Sequence, residues 1–227
     1  MTWVLNLYRS TIGKKIIMAV TGLIGIGFVF LHMVGNLQVF QSADKMNAYG
    51  ALLHGPLNEL LWVARFVLVA AVILHVLMAW QLTQRARAAR PQGYRQREPQ
   101  VSTLASRTMR WGGVLLLLFI VFHILHFTVG TIDPAGVFQI PDHAGRHDVY
   151  ANIVGSFHIW WVAAFYIVAM AFLGLHLFHG AWSSLRTLGL VKPSEHPLHR
   201  RVAGALAFVI WLGFTLVPVG VLVGIIR

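Results

Sequence analysis

Residues 119–130 read FIVFHILHFTVG, with two histidines inside a run from Trp111 to Ile132 that holds no Asp, Glu, Lys or Arg. A run of that length and composition suits a membrane-crossing helix, because about 20 apolar residues at about 1.5 Å each match a hydrocarbon layer of about 30 Å. Hydrocarbon offers an imidazole no water, and a buried polar group without a partner costs free energy. His123 and His126 therefore need partners on other helices.

The rest of the chain has the same character. Of its 227 residues 57% are hydrophobic and 11% charged, and the mean hydropathy is +0.69. A soluble domain of this length needs more polar surface, so the composition points to an integral membrane protein. There is no cysteine, which excludes disulfides, thiolate metal sites, cysteine-held iron–sulfur clusters and covalent haem attachment. The first apolar run is long enough to span the bilayer and does not look like a cleavable signal.

Charge-free runs place five helices, at roughly 15–38, 58–83, 110–131, 153–183 and 202–226, in one domain over residues 1–227. The expected fold is an all-α membrane protein. Loop charge sets its orientation. Of 18 basic residues, 14 fall in the N-terminal segment, the loop after the second span and the loop after the fourth. The positive-inside rule then puts the N-terminus in the cytoplasm and the C-terminus outside. The net charge of +11 is thus read as topology, with a lipid membrane and not nucleic acid as the partner. Trp62, Trp160 and Trp161 near the outer ends and Trp80, Trp111 and Trp182 near the inner ends fit an aromatic belt. The inner loop from Arg85 to Arg110, with Arg90, Arg95 and Arg97, reads as lipid-headgroup contact or as a docking surface for a cytoplasmic partner.

Histidines recur in four consecutive spans: His32, His75, His123 with His126, and His176 with His179. One histidine in a span is ordinarily a polar group bonded to a neighbouring helix. Four spans in a row need a common cause. His32 lies 17 residues after Lys15, and His123 lies 13 after Arg110, so both fall in the outer half. His75 and His176 each lie 10 residues before an inner arginine, Arg85 or Arg186, roughly 15 Å from the inner charges. By depth His126 fits His32 slightly better than His123 does. The spans thus offer two layers of two imidazoles, as cofactor-binding bundles do. Zinc takes four protein ligands, or three and a water, and the spans contain no carboxylate. Haem supplies four equatorial nitrogens itself and needs only axial ligands, so haem iron is the expected metal. Gly22, Gly25 and Gly27 would let a flat macrocycle approach, or serve ordinary helix packing. Two axial histidines leave iron no open position, which suits electron transfer. No flavin or nucleotide motif is present, so a soluble donor inside and a lipid-soluble carrier are expected.

The segments Ser10–Gly22 (STIGKKIIMAVTG), Phe30–Gln38 (FLHMVGNLQ), the His75 helix, the Phe-His pair of the third span and LHLFHGAWS of the fourth resemble one family along essentially the whole chain. It is the di-haem, five-helix cytochrome b membrane anchor of succinate dehydrogenases and fumarate reductases, the cytochrome b558 type. The resemblance implies helices I–IV around two b haems, with His32 and His123 on the outer one and His75 and His176 on the inner one. It also implies a flavoprotein and an iron–sulfur subunit on the inner face, menaquinone reacting near the outer side, and a bacterial inner membrane. His126 and His179, each three residues past a ligand, become candidates to bond a haem propionate, or plain interhelical hydrogen bonders. At the outer start of the second span, His54 and Glu59 are candidates for the quinone end, and Arg65 for a propionate. The same three read as interfacial groups, with Glu59 as a helix-start acid and Arg65 as a snorkelling arginine. His143, His147 and His158 are expected to face water outside, and His196 and His199 belong to the inner loop. The alternatives are a di-haem anchor for another dehydrogenase, such as formate dehydrogenase or hydrogenase, and a histidine-relay transporter.

Overall fold

The computed structural model describes residues 2–89, 92, 102–138, 140–192 and 198–227. Arg90, Arg95, Arg97 and His196 lie outside the described residues. All regular structure among the described residues is helical: α1 (Thr2–Arg9), α2 (Thr11–Asn36), α3 (Ala43–His54), α4 (Asn58–Ala88), α5 (Leu104–His123), α6 (Val149–His158), α7 (Trp160–Thr187) and α8 (Leu198–Leu222). A 3₁₀ turn (Leu37–Phe40) extends α2, and a π turn (Ile124–Val129) extends α5. Five helices are long and apolar enough to cross a membrane: Thr11–Phe40, Asn58–Ala88, Leu104–Val129, Trp160–Thr187 and Leu198–Leu222. The chain is a multi-pass membrane protein. Large apolar side chains such as Leu31, Phe66, Leu118 and Val168 line its outer surface, where lipid would solvate them.

Local chemistry sets the helix ends. Ser10 Oγ accepts from Gly13 N at 2.9 Å, and Thr103 Oγ1 accepts from Ser106 N at 3.2 Å, so each hydroxyl satisfies a free helix N–H. The π turn stops at Gly130, whose φ of 73° is left-handed and whose missing Cβ leaves room for the Phe138 ring. The run Val149–Leu185 divides at Ile159, which is extended (φ −80°, ψ 104°). This break lets α6 pack on α3 and α8 while α7 crosses the bundle.

Helices α2 and α4 run antiparallel in a register that side chains pin down. Arg85 donates to Thr11 Oγ1 at 3.1 Å and to the Arg9 carbonyl at 2.6 Å; one turn up, the buried Lys14 donates to Gln81 Oε1. Higher still, His75 meets Met18 and Thr21. Continued along both helices, this register puts residues 61–64 of α4 at the depth of His32. Helices α5 and α7 pair likewise, with Gly113 beside His176 and His123 beside Tyr166. The intervals from Gly113 to His123 and from Tyr166 to His176 are both ten residues, or ~15 Å along a helix.

A polar clamp closes the face opposite the Arg85–Thr11 contacts. Asn47 of α3 donates to Asp142 Oδ2 at 3.2 Å and to Asp148 Oδ1 at 2.9 Å, and its Oδ1 accepts from Tyr150 N at 3.0 Å. Arg146 bridges Asp44 at 2.9 Å and Asp142 at 2.7 Å. Partial burial pushes the Asp142 carboxyl up, but hydrogen bonds from Arg146, Ala144 and Asn47 outweigh it and hold the carboxyl below its usual value. Burial and the nearby His54 push His147 down, against the pull of Asp148. Both shifts favour the deprotonated form in the closed loop, so an opened loop takes up protons more readily. Closure should therefore weaken as the pH falls below about 6.5, where an unperturbed histidine begins to charge, and weaken again in the carboxylate range. Amide exchange of residues 142–148, corrected for the intrinsic pH dependence, should be flat between about pH 8 and 7 and speed up below about 6. Asn47→Ala should speed it at every pH.

Candidate functional site: two imidazole pairs

Six of the seven histidines of the spans sort into two levels; the seventh, His199, stands at the start of α8. His32 on α2 and His123 at the end of α5 have ring centroids 5.8 Å apart at an interplanar angle of 79°. His75 on α4 and His176 on α7 have centroids 6.1 Å apart at 57°. Each pair joins one helix of the α2–α4 couple to one of the α5–α7 couple. The register puts the two pairs ~15 Å apart along the bundle.

The inner pair, on the Arg85 side, sits in a slot cut by glycine. A Cβ at Gly22 would stand 3.2 Å from His75 Cε1, and one at Gly113 would stand 3.9 Å from His176 Cε1. His75 Nδ1 lies 3.0 Å from the Met18 carbonyl and 3.2 Å from Thr21 Oγ1. A carbonyl can only accept, so Nδ1 carries the proton and Nε2 keeps a free lone pair. His176 Nδ1 is buried and has no hydrogen-bond partner among the described residues. The same holds for His179 Nδ1 and Trp182 Nε1, on rings 5.3 Å apart. An unmade bond at a buried polar atom costs about 1–3 kcal/mol, so three such atoms near one imidazole pair fit a bound polar ligand.

The outer pair has aromatic walls. His32 lies between Phe28 and Phe214, with centroids at 5.3 and 5.8 Å. His123 lies against Phe119, Phe127 and Tyr166. His126, only 3% exposed, has both ring nitrogens engaged: Nδ1 is 3.0 Å from Tyr166 Oη and Nε2 is 2.9 Å from Ser156 Oγ. Depth alone favoured His126 as the partner of His32. The π turn that starts just after His123 carries His126 instead toward α6 and α7, where two hydroxyls hold it.

The separations suit a metal shared by the two imidazoles of each pair. Two imidazoles bound to one ion through metal–nitrogen bonds of about 2.0 Å would have centroids up to ~6 Å apart. Both pairs have that separation. Among the described residues no group of three or more His, Asp or Glu gathers to hold a metal, so each pair would need a centre that brings its own remaining ligands. Gly25 and Gly27 face open space, since a Cβ at either would meet nothing within 4 Å.

The remaining candidates lie at the two ends of the bundle. His54 Nδ1 donates to the Gly50 carbonyl at 2.9 Å, and His54 lies near His147. Glu59 is exposed at the start of α4 and forms no ion pair with Arg65. The Arg65 guanidinium lies 4.9 Å from the Trp62 ring centre, and Arg65 is within about one helical turn of the depth of His32 by register. His143, His147 and His158 are exposed. His199 and Lys192 line an apolar cleft of about 620 Å³ between α2, α7 and α8, which neither imidazole pair borders. Sequence reasoning missed Tyr166, Ser156 and Thr21, and it took Trp182 only for a belt residue. The available signal was a polar tip inside an apolar helix, as at Tyr166 in FYIVAM.

The geometry separates the two histidines of the third span: His123 faces His32, and His126 is held by Tyr166 and Ser156. If each pair holds a b-type centre, His126→Gln should leave two per purified chain, while His123→Ala should leave one, counted by pyridine haemochrome against protein mass. Gly22→Leu, which would push on His75, should remove the inner centre and spare the outer. No family model, curated protein or solved structure matches the chain, so the chemistry rests on these residues.

Proposed function

We propose that the chain is the membrane anchor and electron-transfer subunit of a succinate:quinone oxidoreductase. It would hold two b haems on His32 with His123 and on His75 with His176, with its N-terminus in the cytoplasm. The observation that carries this reading is the pair of imidazole couples at 5.8 and 6.1 Å, ~15 Å apart and each drawn from two helix couples. The resemblance of Ser10–Gly22, Phe30–Gln38 and LHLFHGAWS to the cytochrome b558 anchors selects succinate over other donors.

When bound, a haem held by the two histidines of each pair would supply one-electron redox chemistry. This chain's residues do the rest. Met18 and Thr21 hold the His75 ring so that Nε2 stays free. Phe28, Phe119, Phe127 and Phe214 keep water from the outer pair. His179 Nδ1 and Trp182 Nε1 are donors for a carboxylate beside the inner pair. Arg65, within about one helical turn of the level of His32, is the cation for a carboxylate at the outer pair. On the inner side Arg85, Arg87, Arg107, Arg110, Arg186, Arg200 and Arg201 offer a basic face to an iron–sulfur subunit that a flavoprotein would supply with electrons. Menaquinone in a bacterial inner membrane would exchange electrons and protons at the outer side, near His54 and Glu59.

The test is the haem content of the purified complex, followed by reduction with succinate. Two b haems per chain are expected, both reduced by succinate. His32→Ala with His123→Ala should remove one, and His75→Ala with His176→Ala the other. Haems that formate or hydrogen reduces and succinate does not would assign the anchor to another dehydrogenase. A chain without a Soret band would make the histidines a proton relay in a transporter and end the electron-transfer reading.

A further inference from the structure

Tyr166 stands between the two histidines of the third span. Its hydroxyl lies 3.0 Å from His126 Nδ1 and 3.4 Å from His123 Nδ1, and Ser156 Oγ lies 2.9 Å from His126 Nε2. The surroundings are apolar, with Phe119, Phe122, Phe127 and Phe157 set edge-on around the tyrosine ring. His126 and Ser156 are buried. In such a place polar atoms must satisfy one another.

Proton counting gives this cluster a direction. A tyrosine hydroxyl has one proton and cannot donate to two imidazoles. If His123 gives the Nε2 lone pair to a metal, its Nδ1 bears the proton and donates to Tyr166 Oη. The tyrosine proton then goes to His126 Nδ1. The proton of His126 is left on Nε2 and goes to Ser156 Oγ. Each group has one role, and the bonds run one way from the outer ligand to α6.

We propose that Tyr166 is a positioning residue for His123, fixing its tautomer and ring and, through the chain ending at Ser156, raising its donor strength toward the outer metal centre. The inference rests on the di-haem reading. A ligand histidine whose second N–H is accepted by a neighbour binds as a stronger base. Such a base favours the oxidised, more positive iron and lowers the midpoint potential of that centre. Each bond in a chain polarises the next, so Ser156 acts in the same sense at a distance. The inner pair uses another device, since His75 gives its N–H to the Met18 carbonyl and no such chain follows. The two levels are thereby tuned by independent groups.

The experiment is an optical redox titration of the purified complex as wild type, Tyr166→Phe and Ser156→Ala. The spectral component lost in His32→Ala with His123→Ala identifies the outer centre. Tyr166→Phe keeps the ring and should keep both haems. Its outer midpoint potential should move upward while the inner one stays put, and Ser156→Ala should give a smaller upward move of the outer one. An outer potential unchanged in Tyr166→Phe, with both haems bound, would overturn the proposal. If that variant fails to assemble, Ser156→Ala decides: an upward move of the outer centre supports the chain, and no move refutes it. A wild type without haem would instead overturn the functional reading beneath it.

Discussion

An imidazole in hydrocarbon must be answered by another group of the protein or by a ligand, and the arrangement of the bundle follows from how five of them are answered. His75 is met by a carbonyl and a hydroxyl of α2. His126 is met by hydroxyls of α6 and α7. His32 meets His123, and His176 meets His75, across the bundle. Between membrane helices there is little hydrophobic drive, because lipid tails are as apolar as leucine. Close packing and polar contacts must supply the specificity that water supplies elsewhere. The histidine contacts serve this end by tying α2 to α4 and α5 to α7 in fixed register.

Small residues let these contacts form. Gly22 lets α2 approach the His75 ring, and Gly113 opens α5 toward His176. At the outer end Gly35 admits Tyr49 of α3, and Gly213 of α8 admits Met33 of α2. The most deeply buried side chains include Met78, Val162, Ile210 and Val221, on α4, α7 and α8. The fifth span thus acts as a buttress, adding no histidine to either imidazole pair and packing along α7.

The two ends differ in chemistry. One end carries most of the basic residues and ties Arg85 to the start of α2. The other is closed by Asn47, Asp142, Arg146 and Asp148, which stitch α3 to the loop before α6. Exposed ion pairs add little stability singly, but here one asparagine and one arginine each serve two carboxylates, which gives the loop a definite shape. That loop and α6 together place Ser156 beside His126.

The membrane class, the five spans and the two-level arrangement of histidines were legible from the sequence. They depend on hydropathy, on loop charge and on counting residues along a helix of fixed rise, and each of these is local. Depth along a helix could not say which of His123 and His126 faces His32. That choice depends on the angle around the helix, and the π turn from Ile124 to Val129 resets the angle. The partners of His126 come from residues 30 and 40 positions away, and one of them lies on a helix set apart by the break at Ile159. Likewise His54, Glu59 and Arg65 are near in sequence but have different neighbours, because α3 ends before α4 begins: His54 bonds the Gly50 carbonyl while Arg65 lies over Trp62. Sequence determined which residues lie at which depth, since depth follows from translation along one axis. Only tertiary structure decided which of them meet, since meeting depends on rotation about that axis and on helices that come together through packing.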